Sequence, residues 1–233
     1  RPNWFPKKGE ISWRESCDRE VEMVRSKVGV CDVSTLGKID VQGPDSATLL
    51  DFVYTNKVSS LKLGKIRYGL MLREDGLVMD DGTCARLGSN HFIITTTTAA
   101  AGQVMRHLEF VLQVLRPDID AQVISVTEHW AQFSIAGPRS RDLLNEICEE
   151  EISNETITFM STLSVSIDDI SARLFRISFS GEHAYEIAVP ASYGDAMMRL
   201  LASKAKKFGG GTYGMEALNL LRIEKGFITH AGI

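Results

Sequence analysis

The chain lacks most of what would commit it to nucleic acid, membrane or disulfide chemistry. Its 26 Lys and Arg are outnumbered by 30 Asp and Glu, for a formal net charge of −4. No basic excess exists to neutralise a phosphate backbone, so nucleic acid is not an expected partner. No apolar run approaches the roughly 20 residues of a membrane-spanning helix, so no membrane partner is expected either. The four cysteines, Cys17, Cys31, Cys84 and Cys148, form no Cys-x-x-Cys pair. They read as reduced, mostly buried thiols of a cytoplasmic protein, not as a zinc or dithiol site. His91 and His107 follow no zinc-ligand spacing, and no metal is expected. No Gly-x-Gly-x-x-Gly follows a strand, so no dinucleotide site is expected within these residues. "FGGGTYG", from Phe208 to Gly214, lies after a helical stretch and reads as a helix C-cap and turn. The opening "RPNWFPKKGE" has neither Met nor the apolar core of a signal peptide, and reads as the cut end of a longer chain.

What is present is ordinary globular composition, with 233 residues, 44% hydrophobic and 24% charged. That length fits one large domain or two small ones. An internal repeat decides for two similar units. "IDVQGPDSATLLDFV" (Ile39 to Val53) and "FSIAGPRSRDLLNEI" (Phe133 to Ile147) share a plan of alternating apolar residues, a Gly-Pro, and a leucine-bearing helix. Gly43 and Gly137 stand 137 − 43 = 94 positions apart. A second pair, "AAAGQVMRHL" ending at Leu108 and "ASYGDAMMRL" ending at Leu200, matches at an offset of 92. Met105 with Leu108, and Met197 with Leu200, share a helical face and read as core. The expected fold is α+β: two units of strand, helix, hairpin, strand and helix, each an antiparallel sheet with helices on one face.

The first hairpin poses the functional question. "LMLREDGLVMDDGTCARL" (Leu70 to Leu87) turns at "REDG", where Gly76 supplies a positive φ. Asp80 and Asp81 then follow inside a strand, where carboxylates are depleted. The second hairpin turns at Asp168 and Asp169, whose carboxylates belong to the turn itself. Residues adjacent on a strand face opposite ways, so at most one of Asp80 and Asp81 points into any one pocket. By themselves the two also fit an exposed strand edge, or an ion pair with Arg86.

Four further blocks carry a resemblance: "SKVGVCDVSTLGKIDVQGPD", "KIRYGLMLREDGLVMDDG", "ISFSGEHAYEIAVP" and "YGMEALNLLRIEKG". In this order and spacing they resemble the folate-binding aminomethyltransferase family of the glycine-cleavage T-protein, over about Trp13 to Gly226. That family includes the C-terminal regions of dimethylglycine and sarcosine dehydrogenases. "SVTEHWAQFSIAGPRSRDLL" and "ARLFRISFSGEHAYEIAVPASYGDAM" look most like its sarcosine oxidase alpha subunit branch.

The resemblance implies a cloverleaf of three domains around a channel for tetrahydrofolate. Here residues 1–128 would be the N-terminal segment and first unit, and 129–233 the second unit, with the third domain missing from these residues. It implies that Asp81 is catalytic at the N5/N10 edge of the folate, and that Glu186 hydrogen-bonds the pterin. Tyr68 and Phe179 would line the channel, Phe179 standing where many relatives have Tyr. Leu36 would pack on the folate where the family has Met. The implied function is capture of an imine-derived carbon as 5,10-methylene-tetrahydrofolate, within an amine-oxidising flavoenzyme. The N-methyl amine would be the substrate. Flavin and NAD would sit only on other segments or subunits of a hetero-oligomeric oxidase. The alternative is a non-catalytic module that binds folate or another subunit. Two positions depart from relatives. Leu218 replaces an Arg found in glycine-cleavage members, which leaves Arg222 a structural role, paired with Glu216 or Glu224. "KGFITH" replaces the reactive-Cys motif of the iron–sulfur maturation branch, which argues against that branch.

Overall fold

The computed structural model describes residues 2–229; within "FITHAGI", His230 to Ile233 lie outside them. The chain divides into two compact units. One holds residues 35–129 with Met160–Thr162, and the other holds 2–34, 130–159 and 163–228. The expected grouping of the N-terminal segment with the first unit is corrected here. Residues 1–34 carry helix α1 (Trp13–Ser26) and strand β1 (Gly29–Asp32), and β1 pairs antiparallel with a strand of the second unit.

In the first unit the order is β2 (Gly37–Gln42), α2 (Ser46–Val53), β3 (Ile66–Leu72), β4 (Val78–Gly88), β5 (His91–Thr96), α3 (Ala101–Phe110) and β6 (Gln122–Ser125). The second runs β7 (Trp130–Ala136), α4 (Ser140–Asn145), β8 (Ser161–Ile167), β9 (Ile170–Arg176), β10 (Ala184–Pro190), α5 (Gly194–Lys207), β11 (Gly211–Thr212) and α6 (Met215–Lys225). Both follow the expected strand, helix, hairpin, strand, helix plan. The first sheet is ordered β3-β4-β5-β2-β6 and the second β8-β9-β10-β7-β1-β11. The first four places therefore match element for element. Register matches too: Gln42 faces His91 in one unit, and Ala136 faces Ala184 in the other. The fifth place differs. In the first unit the strand after the last helix fills it; in the second, β1 from upstream does. This is why the N-terminal segment belongs to the second unit.

Each sheet buries one face under its helices. Ile39, Val41, Phe92 and Ile94 pack with Leu49, Leu50, Val104 and Leu108. Ile135, Leu174, Tyr185 and Ile187 pack with Leu143, Leu144, Met197 and Leu201. Met105 and Leu200 are half-buried against these cores. The second hairpin turns through Asp168 and Asp169 at φ 46° and 64°, as its sequence requires. Gly209 and Gly210 N–H groups bond back to Lys206 and Ala205 carbonyls and close α5, before Gly211 starts a short strand. Cys17, Cys31, Cys84 and Cys148 form no disulfide, and Cys148 is half-buried. No described helix is long and apolar enough to cross a membrane. The N-terminal arm is tied by Glu20, wholly buried, which accepts the N–H groups of Phe5 at 2.6 Å and Gly214 at 2.8 Å.

The repeated Gly-Pro has one cause in both units. Gly43 and Gly137 adopt φ of 128° and 124°, where a side chain is strained. A Cβ would also stand 2.6 Å from the Asp120 carbonyl oxygen at Gly43, and 2.4 Å from that of Val24 at Gly137. The turn then starts α2 and α4 by N–H bonds from Ser46 and Ser140 to the glycine carbonyls, each 3.0 Å. Gly43→Ala and Gly137→Ala should each lower unfolding free energy by about 1–3 kcal/mol, the cost of a strained backbone position. Urea denaturation checks this, and an unchanged midpoint would refute the requirement.

Candidate functional site

In the β3–β4 hairpin Gly69 faces Gly82, Leu70 faces Asp81 and Met71 faces Asp80. Met71 and Cys84 join the helix-side core, so alternation puts Asp80 on that face and Asp81 on the opposite one. Asp80 is 2% exposed. Its Oδ1 accepts from Thr97 Oγ1 at 2.8 Å, and the Thr97 N–H reaches both oxygens at 3.2–3.3 Å. Burial lifts the Asp80 carboxyl to about 6, against the pull of these hydrogen bonds and with help from the Asp81 charge.

Asp81 is 8% exposed, and its Oδ2 accepts the Tyr68 hydroxyl at 3.0 Å. Tyr68 faces Thr83 across the ladder, which makes Asp81 its diagonal neighbour, within reach of a long side chain. Burial and the Asp81 charge push the Tyr68 phenol well above its usual range, so it remains a donor. On this face Thr83 Oγ1 bonds Thr95 Oγ1 at 2.8 Å, and Thr95 faces Lys38 on β2. Lys38 is 1% exposed and its Nζ donates to the Leu36 carbonyl at 2.9 Å. Leu36 itself is half-buried in the turn before β2. The structure thus joins Tyr68 to Asp81 and adds Lys38, which sequence reasoning did not single out. Its one signal was position, because Lys38 alternates with core Ile39 and so shares the face of Asp81.

Glu186 and Phe179 belong to the other unit. On β10, Tyr185 and Ile187 point into the core, so Glu186 takes the face opposite that core, across from Ser134 and Phe175. It is 8% exposed, and its Oε2 accepts from Gln132 Nε2 at 2.5 Å. Gln132 faces Ala188, again the diagonal place, and is buried. Beside them Ser134 Oγ lies 3.3 Å from the hydroxyl of buried Tyr213. Gln132, Ser134 and Tyr213 also went unmarked in the sequence. Phe179 is half-buried in the bend between β9 and β10. Arg222 does not take the expected ion pair: its Nη1 donates to the Phe227 carbonyl at 3.2 Å, and Glu224 pairs with Arg25. Nor does Arg86 pair with the aspartates; it donates to the carbonyls of Ser59, Leu61, Gly88 and Ser89. Among the described residues no three His, Cys, Asp or Glu side chains group as a metal site. Buried carboxylates backed by amide and hydroxyl groups suit a ligand that presents N–H donors.

The chain matches the family described as the GCVT N-terminal domain over residues 1–232. It is 52% identical over 232 residues to the sarcosine oxidase subunit alpha of Rhizobium meliloti (strain 1021), covering 99% of this chain and 24% of that one. It is 29% identical to the mitochondrial dimethylglycine dehydrogenase of Mus musculus, covering 97% of this chain and 27% of that one. The chain therefore spans about a quarter of the length of these relatives. The glycine cleavage system aminomethyltransferase T of Bartonella henselae shares its fold, with a TM-score of 0.79 at 23% identity, over 91% of this chain and 55% of that one.

Asp80 yields a test of the geometry. Its carboxyl titrates at about 6 when folded, above the ordinary 3.8, so the folded state holds the proton more tightly than the unfolded state. Its contribution is most favourable below pH 4 and is lost as pH rises through 6. Asp80→Asn, which keeps an acceptor for Thr97, should therefore gain stability relative to the parent between pH 4 and pH 7, by up to about 3 kcal/mol. Urea titrations of both proteins across that range measure it. A constant difference would place Asp80 in water.

Proposed function

The chain belongs to the GCVT N-terminal domain family of aminomethyltransferases, and from that membership we propose that it is the tetrahydrofolate-dependent one-carbon-transfer part of a larger sarcosine oxidase-like flavoenzyme. The observation that carries the reading is the orientation of Asp81. A nearly buried carboxylate stands on the helix-free face of its sheet, while its neighbour Asp80 is turned inward and clasped by Thr97.

Tetrahydrofolate, when bound, supplies two secondary amine nitrogens, N5 and N10, that take up a carbon at the oxidation level of formaldehyde. Glu186 accepts hydrogen bonds from adjacent N–H donors of the pterin edge, and a carboxylate can take two at once. Gln132 holds that carboxylate in place. Asp81 bears on the carbon. The iminium carbon formed by oxidation of an N-methyl amine is positive, and a fixed carboxylate stabilises that charge as the bonds change. Transfer would exchange both bonds of the carbon–amine double bond for single bonds to the two folate nitrogens. Asp81 would relay the protons released from those nitrogens to the departing amine, so protons and charge balance. Tyr68, Phe179 and Leu36 contribute apolar contact to the ligand. The N-methyl oxidation, with its flavin and any NAD, belongs to segments or subunits outside these residues.

In the complete enzyme, Asp81→Asn should retain much of the folate affinity while cutting methylene transfer by about 100-fold or more, the scale of a lost acid–base or electrostatic group. Amine oxidation continues, and the carbon escapes as formaldehyde. Partition of product between 5,10-methylene-tetrahydrofolate and free formaldehyde measures this; transfer at the parent rate would remove Asp81 from the chemistry. Glu186→Gln should weaken tetrahydrofolate binding by about 1–3 kcal/mol, the worth of a charged hydrogen bond. Unchanged affinity by titration would take Glu186 out of the ligand site.

A further inference from the structure

We infer that Tyr68 is a positioning residue for Asp81, acting through its hydroxyl more than through its ring. The inference rests on the reading of Asp81 given above and adds a second residue to it. An Asp carboxylate turns broadly about its last torsion. Here Oδ2 accepts the Tyr68 hydroxyl at 3.0 Å, so the neighbouring strand takes part in setting the carboxylate plane. The bond crosses the β3–β4 ladder diagonally, since Tyr68 faces Thr83 and Asp81 faces Leu70. A shorter hydroxyl side chain at 68 would not span that diagonal.

Exposure separates the two roles of Tyr68. The residue is 40% exposed, whereas Asp81 is 8% exposed. A tyrosine serving only as an apolar wall has no need to aim its hydroxyl at a nearly buried charge. A hydrogen bond to an ionised acceptor is among the stronger ones, and it also draws off part of the carboxylate's negative charge. The hydroxyl therefore governs both the aim and the strength of the charge that Asp81 brings to the carbon. Phe at this position keeps the ring and removes that control.

The test is a double-mutant cycle in the complete enzyme, with tetrahydrofolate and the N-methyl amine. The variants are Tyr68→Phe, Asp81→Asn and the two combined, and each is scored for tetrahydrofolate Kd and for the rate of 5,10-methylene-tetrahydrofolate formation. Tyr68→Phe should leave Kd within about 3-fold, because the ring remains, and slow transfer by about 10-fold or more, as mispositioning of a reacting group does. On the Asp81→Asn background it should slow transfer no further, because the hydroxyl acts only through the carboxylate. Parent-rate transfer in Tyr68→Phe, with Asp81→Asn slow, overturns the inference and leaves the reading of Asp81 standing. So does a Tyr68→Phe effect that is undiminished on the Asn background. Loss of Kd without loss of rate returns Tyr68 to a wall of the ligand site. Parent-rate transfer in Asp81→Asn overturns both.

Discussion

Thr97 holds Asp80 with its backbone N–H and its hydroxyl, and much of the candidate site depends on that clasp. A strand slipped by one residue turns every side chain to the other face. In β4 such a slip would turn Asp81 toward Leu49, Leu50 and Val104 and bring Asp80 out. A carboxylate is costly to bury without partners. Thr97 supplies partners only on the helix side, so the register with Asp80 inward satisfies a charge that other registers would strand. The raised Asp80 carboxyl shows the remaining cost, since burial outweighs the hydrogen bonds. The protein tolerates an imperfectly solvated carboxyl inside, and the charge of Asp81 is thereby fixed on the other face.

The same arrangement recurs in the second unit with different residues. Glu186 lies on the face of its sheet opposite α4 and α5, and its diagonal donor is an amide, Gln132, where the first unit uses a phenol, Tyr68. In both units the donor comes from the adjacent strand, two residues off the facing position. Neutral donors suit this duty. They stabilise a carboxylate without cancelling its charge, as an Arg partner would. The repeated fold thus offers two equivalent faces, and each has been given a carboxylate on a different strand of the shared plan.

The sequence carried the local part of this picture well. The Gly-Pro turns, the leucine-bearing helices and the hairpin turns each depend on residues close together in the chain, so the two units and their strand plan were legible. The opposition of Asp80 and Asp81 was legible for the same reason, because alternation along a strand is a local rule. The placing of residues 1–34 was not. It depends on β1 pairing with β7, about 100 positions away, and no composition cue distinguishes which sheet edge a short strand joins. Lys38 and Gln132 escaped for a related reason. A polar residue alternating with apolar ones reads as solvent-facing, and only tertiary packing makes these two nearly inaccessible. The ion pair expected for Arg222 failed similarly: Glu224, one helical neighbour, was taken by Arg25 from a distant helix.

The triplet Asp80-Asp81-Gly82 is best understood as one device. Gly82 follows the outward charge, and a Cβ there would lie 1.9 Å from the Thr95 carbonyl oxygen. Only glycine lets β4 approach β5 this closely. The approach is what allows Thr83 to meet Thr95, N–H to Oγ1 at 2.9 Å and hydroxyl to hydroxyl at 2.8 Å. Thr83 is also the residue opposite Tyr68. Any side chain at 82 would push β4 off its neighbour, loosen Thr83, and shift the strand on which Asp81 meets its phenol partner. Asp80 anchors the strand from below, Gly82 draws it against β5, and Asp81 is left between them with little freedom to move. A carboxylate that acts on a developing positive charge must already be in place when the charge forms, because reorganisation at that moment raises the barrier. Two flanking residues supply that rigidity, which, under the proposed role of Asp81, accounts for a pair of aspartates and a glycine standing together inside a strand that would otherwise exclude all three.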